Sequence, residues 1–219
     1  MQLITDEIKG YLSNSSMIRK MFEAGIELRK QYGADNVYDF SLGNPDLPPP
    51  PAVKRALEGI AARADQPFAL GYMPNAGYPA LRAKLAAHLS KEQGVEIPES
   101  NVILTCGAAG GINVFFRAVL TAGDEVVCPA PYFVEYGFYV GNSGGKLVPA
   151  ASKDFTFELD LDAIERAITP RTRAIIINTP NNPTGQIYGR AELTRLAEIL
   201  AAAEKKFGRI IYVVSDEPY

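Results

Sequence analysis

The stretch Arg173 to Gly185 reads R-A-I-I-I-N-T-P-N-N-P-T-G, and the fold follows from it. Ala174 to Ile177 is an apolar run without polar alternation, as a strand covered on both faces requires. Asn178 to Gly185 then sets two Asn-Pro-like turns in succession at the end of that strand, a costly way merely to reverse a chain. A second run of the same kind, Ile210-Ile211-Tyr212-Val213-Val214, leads into S-D-E-P-Y at Ser215 to Tyr219. Working outward, strands are predicted over Asn101 to Thr105, Glu125 to Cys128, Lys146 to Val148, Arg173 to Ile177 and Arg209 to Val214. Between them fall helical patterns running to Leu120, starting at Tyr132, and covering Leu161 to Ile168 and Ala191 to Phe207. Strands alternating with helices predict an α/β fold with a largely parallel sheet and helical crossovers.

Upstream, apolar residues at three- and four-residue steps predict a helix over Met17 to Gln31, ending near Gly33. The stretch S-L-G-N-P-D-L-P-P-P-P, Ser41 to Pro51, holds too many prolines for a helix or a central strand and reads as an extended connector. Helices are expected after it over Ala52 to Ala64, opened by Pro51, and over Gly77 to Lys91.

Composition narrows the function. The chain has 219 residues, 47% of them hydrophobic and 21% charged, in line with an ordinary globular protein. No uncharged apolar run approaches the ~18 residues of a membrane span. A net charge of -3 speaks against a broad basic surface for nucleic acid. Two cysteines, Cys106 and Cys128, make no disulfide framework, and with one histidine, His88, no zinc-type ligand cluster is expected. Both cysteines are read as small buried hydrophobes, His88 as a surface helix residue, and the charges of Ala191 to Lys206 as a solvated helix face. The N-terminus lacks a signal-peptide pattern, so a cytoplasmic location is expected.

In open α/β sheets, ligands bind beyond the carboxyl ends of the strands. Four unusual clusters fall at such ends: Cys106 to Gly111 (C-G-A-A-G-G), Pro129 to Phe133 (P-A-P-Y-F), Asn178 to Gly185, and Ser215 to Tyr219. The first follows a strand and opens a helix, where free backbone N–H groups and the helix dipole could hold a phosphate. It is neither G-x-G-x-x-G nor a P-loop, since no Gly-Lys-Ser/Thr follows.

The Asn178 to Gly185 segment resembles the N-x-P-x-N-P-T-G motif of the class I and II pyridoxal-phosphate-dependent aminotransferases, the aspartate aminotransferase superfamily. Further matches follow in the family's order: S-L-G-N-P-D at Ser41 to Asp46, Tyr72 with Gly77 and Leu81-Arg82, the Thr105 to Gly111 turn, Pro131 to Tyr136, and S-D-E-P-Y. The resemblance implies the fold type I architecture, with residues 1–45 belonging to the small domain and 46–219 to the N-terminal part of the large, cofactor-binding domain. It implies pyridoxal 5'-phosphate as cofactor, Asp216 at the pyridine nitrogen, Tyr219 and Asn182 at the phenolic oxygen, and Phe133 stacked on the ring, with Tyr132 the alternative. Gly107, Ala108 and Ala109 would bind the phosphate through backbone N–H groups, without the hydroxyl many relatives carry there. Tyr72 would reach the cofactor phosphate of a neighbouring subunit, which implies a homodimer, and Gly43 and Asn182 would lie at the substrate carboxylate. The implied reaction moves an amino group between an amino acid and a 2-oxo acid, in amino acid metabolism, with aspartate-type or aromatic substrates. The Schiff-base lysine and the carboxylate-binding arginine are expected after Tyr219, because no residue before it matches their surroundings; Lys205 and Lys206 sit mid-helix. The alternatives are a lyase or decarboxylase on the same scaffold, and a truncated, non-catalytic relative.

Overall fold

The computed structural model describes residues 3–6, 8–10, 17–38, 40, 43 and 47–218. The chain divides into two compact units, Met1–Tyr72 and Met73–Tyr219. In the first, helix α1 spans Met17–Tyr32, a 3-10 turn spans Ala34–Asn36, and helix α2 spans Pro51–Ala61 with proline at its first turn, where no N–H is needed. Gly33 ends α1 at φ 84, a left-handed conformation that glycine adopts without a Cβ penalty. Within the proline-rich connector only Gly43 and residues 47–51 are described, so Ser41, Leu42, Asn44, Pro45 and Asp46 lie outside the described residues.

The second unit opens with helix α3, Pro79–Gln93, and a 3-10 turn at Glu99–Asn101. It continues through helix α4 (Gly107–Val119), strand β1 (Glu125–Ala130), helix α5 (Tyr136–Gly141), strand β2 (Lys146–Ala151), helix α6 (Leu161–Ala167), strand β3 (Thr172–Asn178), helix α7 (Arg190–Phe207) and strand β4 (Tyr212–Asp216). The four strands form one sheet in the order β2-β1-β3-β4, and every pair is parallel, so the expected α/β class and parallel sheet are present. Among the described residues no helix is long and apolar enough to cross a membrane.

The unbroken apolar runs serve two layers at once. Val127, Ile175 and Ile177 pack with Leu159, Ile164, Leu196, Ile199 and Leu200 on the α6–α7 side. Their chain neighbours Val126, Cys128, Ala174 and Ile176 pack with Ile112, Phe116, Leu120, Tyr136 and Val140 on the α4–α5 side. Successive side chains of a strand point to opposite faces, so a sheet covered twice needs apolar residues at every position.

Four expectations are corrected. The run Asn101 to Thr105 forms no strand: the 3-10 turn takes its first residue, and residues 102–105 pair with no ladder among the described residues. Its backbone is anchored instead by the Leu104 N–H, which donates to the Ala76 carbonyl at 3.0 Å, while Ile103 is 60% exposed. The helix expected from Tyr132 begins at Tyr136, after a turn in which the Tyr136 N–H donates to the Phe133 carbonyl at 3.1 Å. Strand β4 begins at Tyr212 rather than Arg209, because the Ile211 N–H is taken by Glu204 Oε1 at 2.7 Å and Arg209 Nη2 reaches Asp124 Oδ1 at 2.6 Å. Cys106 is exposed at the start of α4, whereas Cys128 is buried with its thiol pKa pushed up by burial.

Helix α7 is also more than a solvated face. Glu192 accepts the Gly189 N–H at 2.8 Å, closing the helix start, and its other oxygen accepts the Leu159 N–H at 3.1 Å. His88 is an exposed helix residue, 3.6 Å from the Glu92 carboxylate.

Candidate active site

The C-terminal ends of β3 and β4 meet through one buried amide. In the parallel register Asn178 lies beside Asp216. Asn178 Nδ2 donates to the Asp216 carbonyl at 2.8 Å, and Asn178 Oδ1 accepts the Asn182 N–H at 2.6 Å. One side chain thus ties the end of β4 to the turn after β3. The turn is held by its own residues: Asn181 Oδ1 accepts from Thr184 Oγ1 at 2.9 Å, and the Gly185 N–H donates to the Asn181 carbonyl at 2.7 Å. Asn178 and Asn181 are both buried, and the side-chain oxygen of each accepts a hydrogen bond within the turn.

A second connection comes from α5. The Tyr136 hydroxyl donates to Asp216 Oδ2 at 2.6 Å, across 80 residues of chain. Burial first, and then the hydrogen bond to Asp216, push the Tyr136 pKa well above the ordinary range, so this phenol stays a donor. The Phe133 ring meets Tyr136 edge to face, with centroids 5.6 Å apart at 84°. One turn on, the Tyr139 hydroxyl donates to the Glu135 carboxylate, and burial, then Glu135, raise its pKa as well.

The start of α4 completes the arrangement. Gly107 is at φ 71, and Cys106 before it makes no side-chain cap, so no side chain closes the first turn. The first N–H groups of a helix lack partners within it, and that end carries partial positive charge. Thr105 Oγ1 donates to the Gly107 carbonyl at 2.9 Å and its own carbonyl accepts the Gly107 N–H at 3.0 Å, so Thr105 fixes the turn from both sides and already takes the first of those N–H groups.

These segments line a single concavity of about 290 Å³. Its walls include Ala108 and Ala109 from α4, Phe133 ahead of α5, Asn182 from the turn after β3, and Asp216 at the end of β4. Five of the residues named from the sequence are thereby brought together, and Gly107 directly precedes two of them. Tyr72 and Gly43 belong to the other compact unit, where both are exposed, and Tyr219 lies outside the described residues. Sequence reasoning gave no role to Asn178, Glu135, Tyr136, Tyr139 and Ile112, which line the same concavity. The signal for the tyrosines is the three-residue step from Tyr136 to Tyr139, which a helix turns to one side. The signal for Asn178 is an amide closing an apolar strand.

A flat, phosphorylated, aromatic ligand fits this donor set. The open helix end suits the phosphate, Phe133 offers an aromatic face, and Asp216 offers a carboxylate held by the Tyr136 hydroxyl on a backbone held by Asn178.

The aminotransferase class I and II family model matches residues 35–219. The aspartate/prephenate aminotransferase of Thermus thermophilus is 39% identical over 195 residues, covering 89% of this chain and 48% of that protein. The probable aspartate/prephenate aminotransferase of Aquifex aeolicus is 38% identical over 194 residues, covering 88% of this chain and 46% of that protein. An aminotransferase crystal structure from Eubacterium rectale superimposes with a TM-score of 0.93 at 36% identity, over 100% of this chain and 55% of that one. The Thermus thermophilus aspartate aminotransferase with maleate gives 0.84 at 33% identity, over 100% of this chain and 54% of that one. The chain spans about half the length of the curated relatives it matches. Its parallel sheet and crossovers are those of the type I aminotransferase fold. With the motif residues gathered at the strand ends and most of the length matched, the chain belongs to the aminotransferase class I and II family.

Proposed function

We propose that the protein is a pyridoxal-phosphate-dependent aminotransferase that moves an amino group between an amino acid and a 2-oxo acid. The observation that carries this reading is the convergence of Ala108, Ala109, Phe133, Asn182 and Asp216, from four separate segments, on one concavity. Bound there, pyridoxal phosphate would supply an aldehyde that accepts the amino group and a pyridinium ring that takes up electrons from the substrate's alpha carbon. Asp216 would hold a proton at the ring nitrogen, the carboxylate favouring the charged ring. Phe133 would cover one face of the ring and keep water from it. Backbone N–H groups of Gly107, Ala108 and Ala109 would bind the phosphate, and Asn182 would donate its amide to the phenolic oxygen and the substrate carboxylate.

The finer assignments rest on the family. Tyr219 would join Asn182 at the phenolic oxygen, Gly43 would lie at the substrate carboxylate, and Tyr72 would reach the phosphate in a neighbouring subunit of a homodimer. Residues 1–45 would belong to a small domain and 46–219 to the large one, and the Schiff-base lysine and carboxylate-binding arginine would follow Tyr219. An aspartate-type substrate is supported by the names of the relatives, an aromatic one by the family resemblance, and the cytoplasm is the proposed location.

The test uses the protein as its gene encodes it, purified with pyridoxal phosphate. The expected result is a bound-cofactor absorption band that an amino acid discharges in a single turnover, releasing one equivalent of 2-oxo acid. A protein that takes up no cofactor, or that releases carbon dioxide or ammonia instead of a 2-oxo acid, would overturn the assignment.

A further inference from the structure

Tyr136 touches two of the groups assigned to the cofactor and is itself assigned to none. Its hydroxyl donates to Asp216 Oδ2 at 2.6 Å, and its ring meets Phe133 edge to face at 5.6 Å. The residue is 1% exposed, in a short helix packed against the sheet, so its ring has little freedom to leave either neighbour. Asp216 is half-buried at the end of β4, which among the described residues pairs only with β3, and a side chain there without a fixed partner would sample several rotamers. Its backbone is fixed separately, by Asn178 on the neighbouring strand. Of the two carboxylate oxygens, Oδ2 receives the tyrosine, which leaves Oδ1 to meet a ligand.

We propose that Tyr136 is a positioning residue for the cofactor: it aims Asp216 Oδ1 at the ring nitrogen and sets the plane of Phe133 that covers the ring. This rests on the pyridoxal phosphate reading given above. The phenol neither gains nor loses a proton in this role. It donates one hydrogen bond throughout, and its burial, which disfavours the phenolate, keeps it able to do so. Two distinct contacts to the cofactor are thereby locked by one side chain, and the hydroxyl can be removed without disturbing the ring packing.

Tyr136→Phe performs that separation, since it keeps the edge-to-face contact and deletes only the donor. The measurement is the dissociation constant of the apoprotein, in its full gene-encoded length, for pyridoxal 5'-phosphate and for 1-deazapyridoxal 5'-phosphate, in which carbon replaces the ring nitrogen. Both are read by quenching of tyrosine fluorescence. The expected result is a loss of about tenfold for pyridoxal phosphate, the scale of a hydrogen bond to a charged group, with the deaza analogue unchanged. In an Asp216→Ala background the same substitution should change neither constant, because the carboxylate through which it acts is gone. A loss shared equally by the two ligands would mean a merely structural role, and unchanged constants would mean no role; either overturns the proposal. If Tyr136→Phe does not fold, 3-fluorotyrosine at position 136 keeps the ring and strengthens the donor. The pyridoxal phosphate constant must then change and the deaza constant must not. Wild-type protein that binds neither compound would overturn the cofactor reading and this inference with it, an outcome distinct from wild-type binding that Tyr136→Phe leaves untouched.

Discussion

At the residue scale, Asn178 carries the most structure per atom. It is buried, and its amide holds the Asp216 carbonyl on one side and the Asn182 N–H on the other. Asn178→Ala strands both partners, and a buried polar group left without a partner costs about 1–3 kcal/mol. The expected loss in urea-unfolding stability is about 2 kcal/mol, with cofactor affinity falling as well because Asp216 and Asn182 both lose their tie. Asn178→Asp should do less harm to the turn than to β4, since a carboxylate still accepts the Asn182 N–H but cannot donate to the Asp216 carbonyl. Phe133 makes a contrasting case. Phe133→Leu keeps apolar bulk but removes the flat face, so the expected effect falls on cofactor affinity, measured by fluorescence titration, with little change in thermal midpoint.

At the element scale, the sheet carries most of the packing. Ile176 is fully buried on the α4–α5 side of β3, and truncating it to alanine should cost about 3 kcal/mol by urea unfolding. Gly77 is a sharper test, because it supports the extended run that is not a strand. Its φ is 98, and a Cβ there would come within 2.5 Å of the Leu104 side chain, so Gly77→Ala is both strained and crowded. A lowered thermal midpoint is expected, with Leu104→Ala partly relieving it in the double variant. The same elements show what the sequence could and could not convey. Strands β1, β3 and β4 and helices α4 and α7 were legible because their periodicity is local: apolar runs of one character, bounded by glycine, proline and asparagine. The site was legible at Asn182 and Asp216 because their motifs stand at strand ends. The Tyr136 to Asp216 bond was not, since it joins residues 80 apart, and neither was the lack of a ladder for 102–105 among the described residues, since β-branched and leucine content favours a strand without supplying its partner. The start of β4 is hidden from local pattern for a similar reason: Glu204 on α7 takes the Ile211 N–H, a competition between distant elements.

At the scale of the whole sheet, opposite ends do different work. The C-terminal ends of the strands gather the groups assigned to the cofactor, while the N-terminal end of β1 is anchored by two adjacent carboxylates. Asp124 accepts from the Thr121 N–H at 2.9 Å and from Arg209 Nη2 at 2.6 Å, tying β1 to the chain entering β4. Glu125 accepts from the Thr169 hydroxyl at 2.5 Å and from Arg171 Nη2 at 2.7 Å, tying it to the chain entering β3. Burial alone would raise both pKa values, but the Thr121 and Arg209 bonds at Asp124, and the Thr169 and Arg171 bonds at Glu125, outweigh it and hold both below their ordinary 3.8 and 4.5. A carboxyl whose folded pKa is depressed binds fewer protons folded than unfolded, so its stabilisation is complete above the ordinary value and is lost as the pH falls through the folded one. Urea-unfolding midpoints should therefore be flat from neutral pH down to about 5 and fall steeply below about 4. Asp124→Asn keeps the shape but leaves one accepting oxygen, which can serve Arg209 or the Thr121 N–H and not both, and it removes one titrating group, so this variant should start from a lower midpoint at neutral pH and lose less of it on acidification. A variant whose pH profile ran parallel to wild type would show that the acid sensitivity arises elsewhere. Because these anchors sit at the end of the sheet away from Asp216, the same substitution should leave the dissociation constant for pyridoxal phosphate at neutral pH unchanged, separating the loss of the sheet's foundation from any loss of the site.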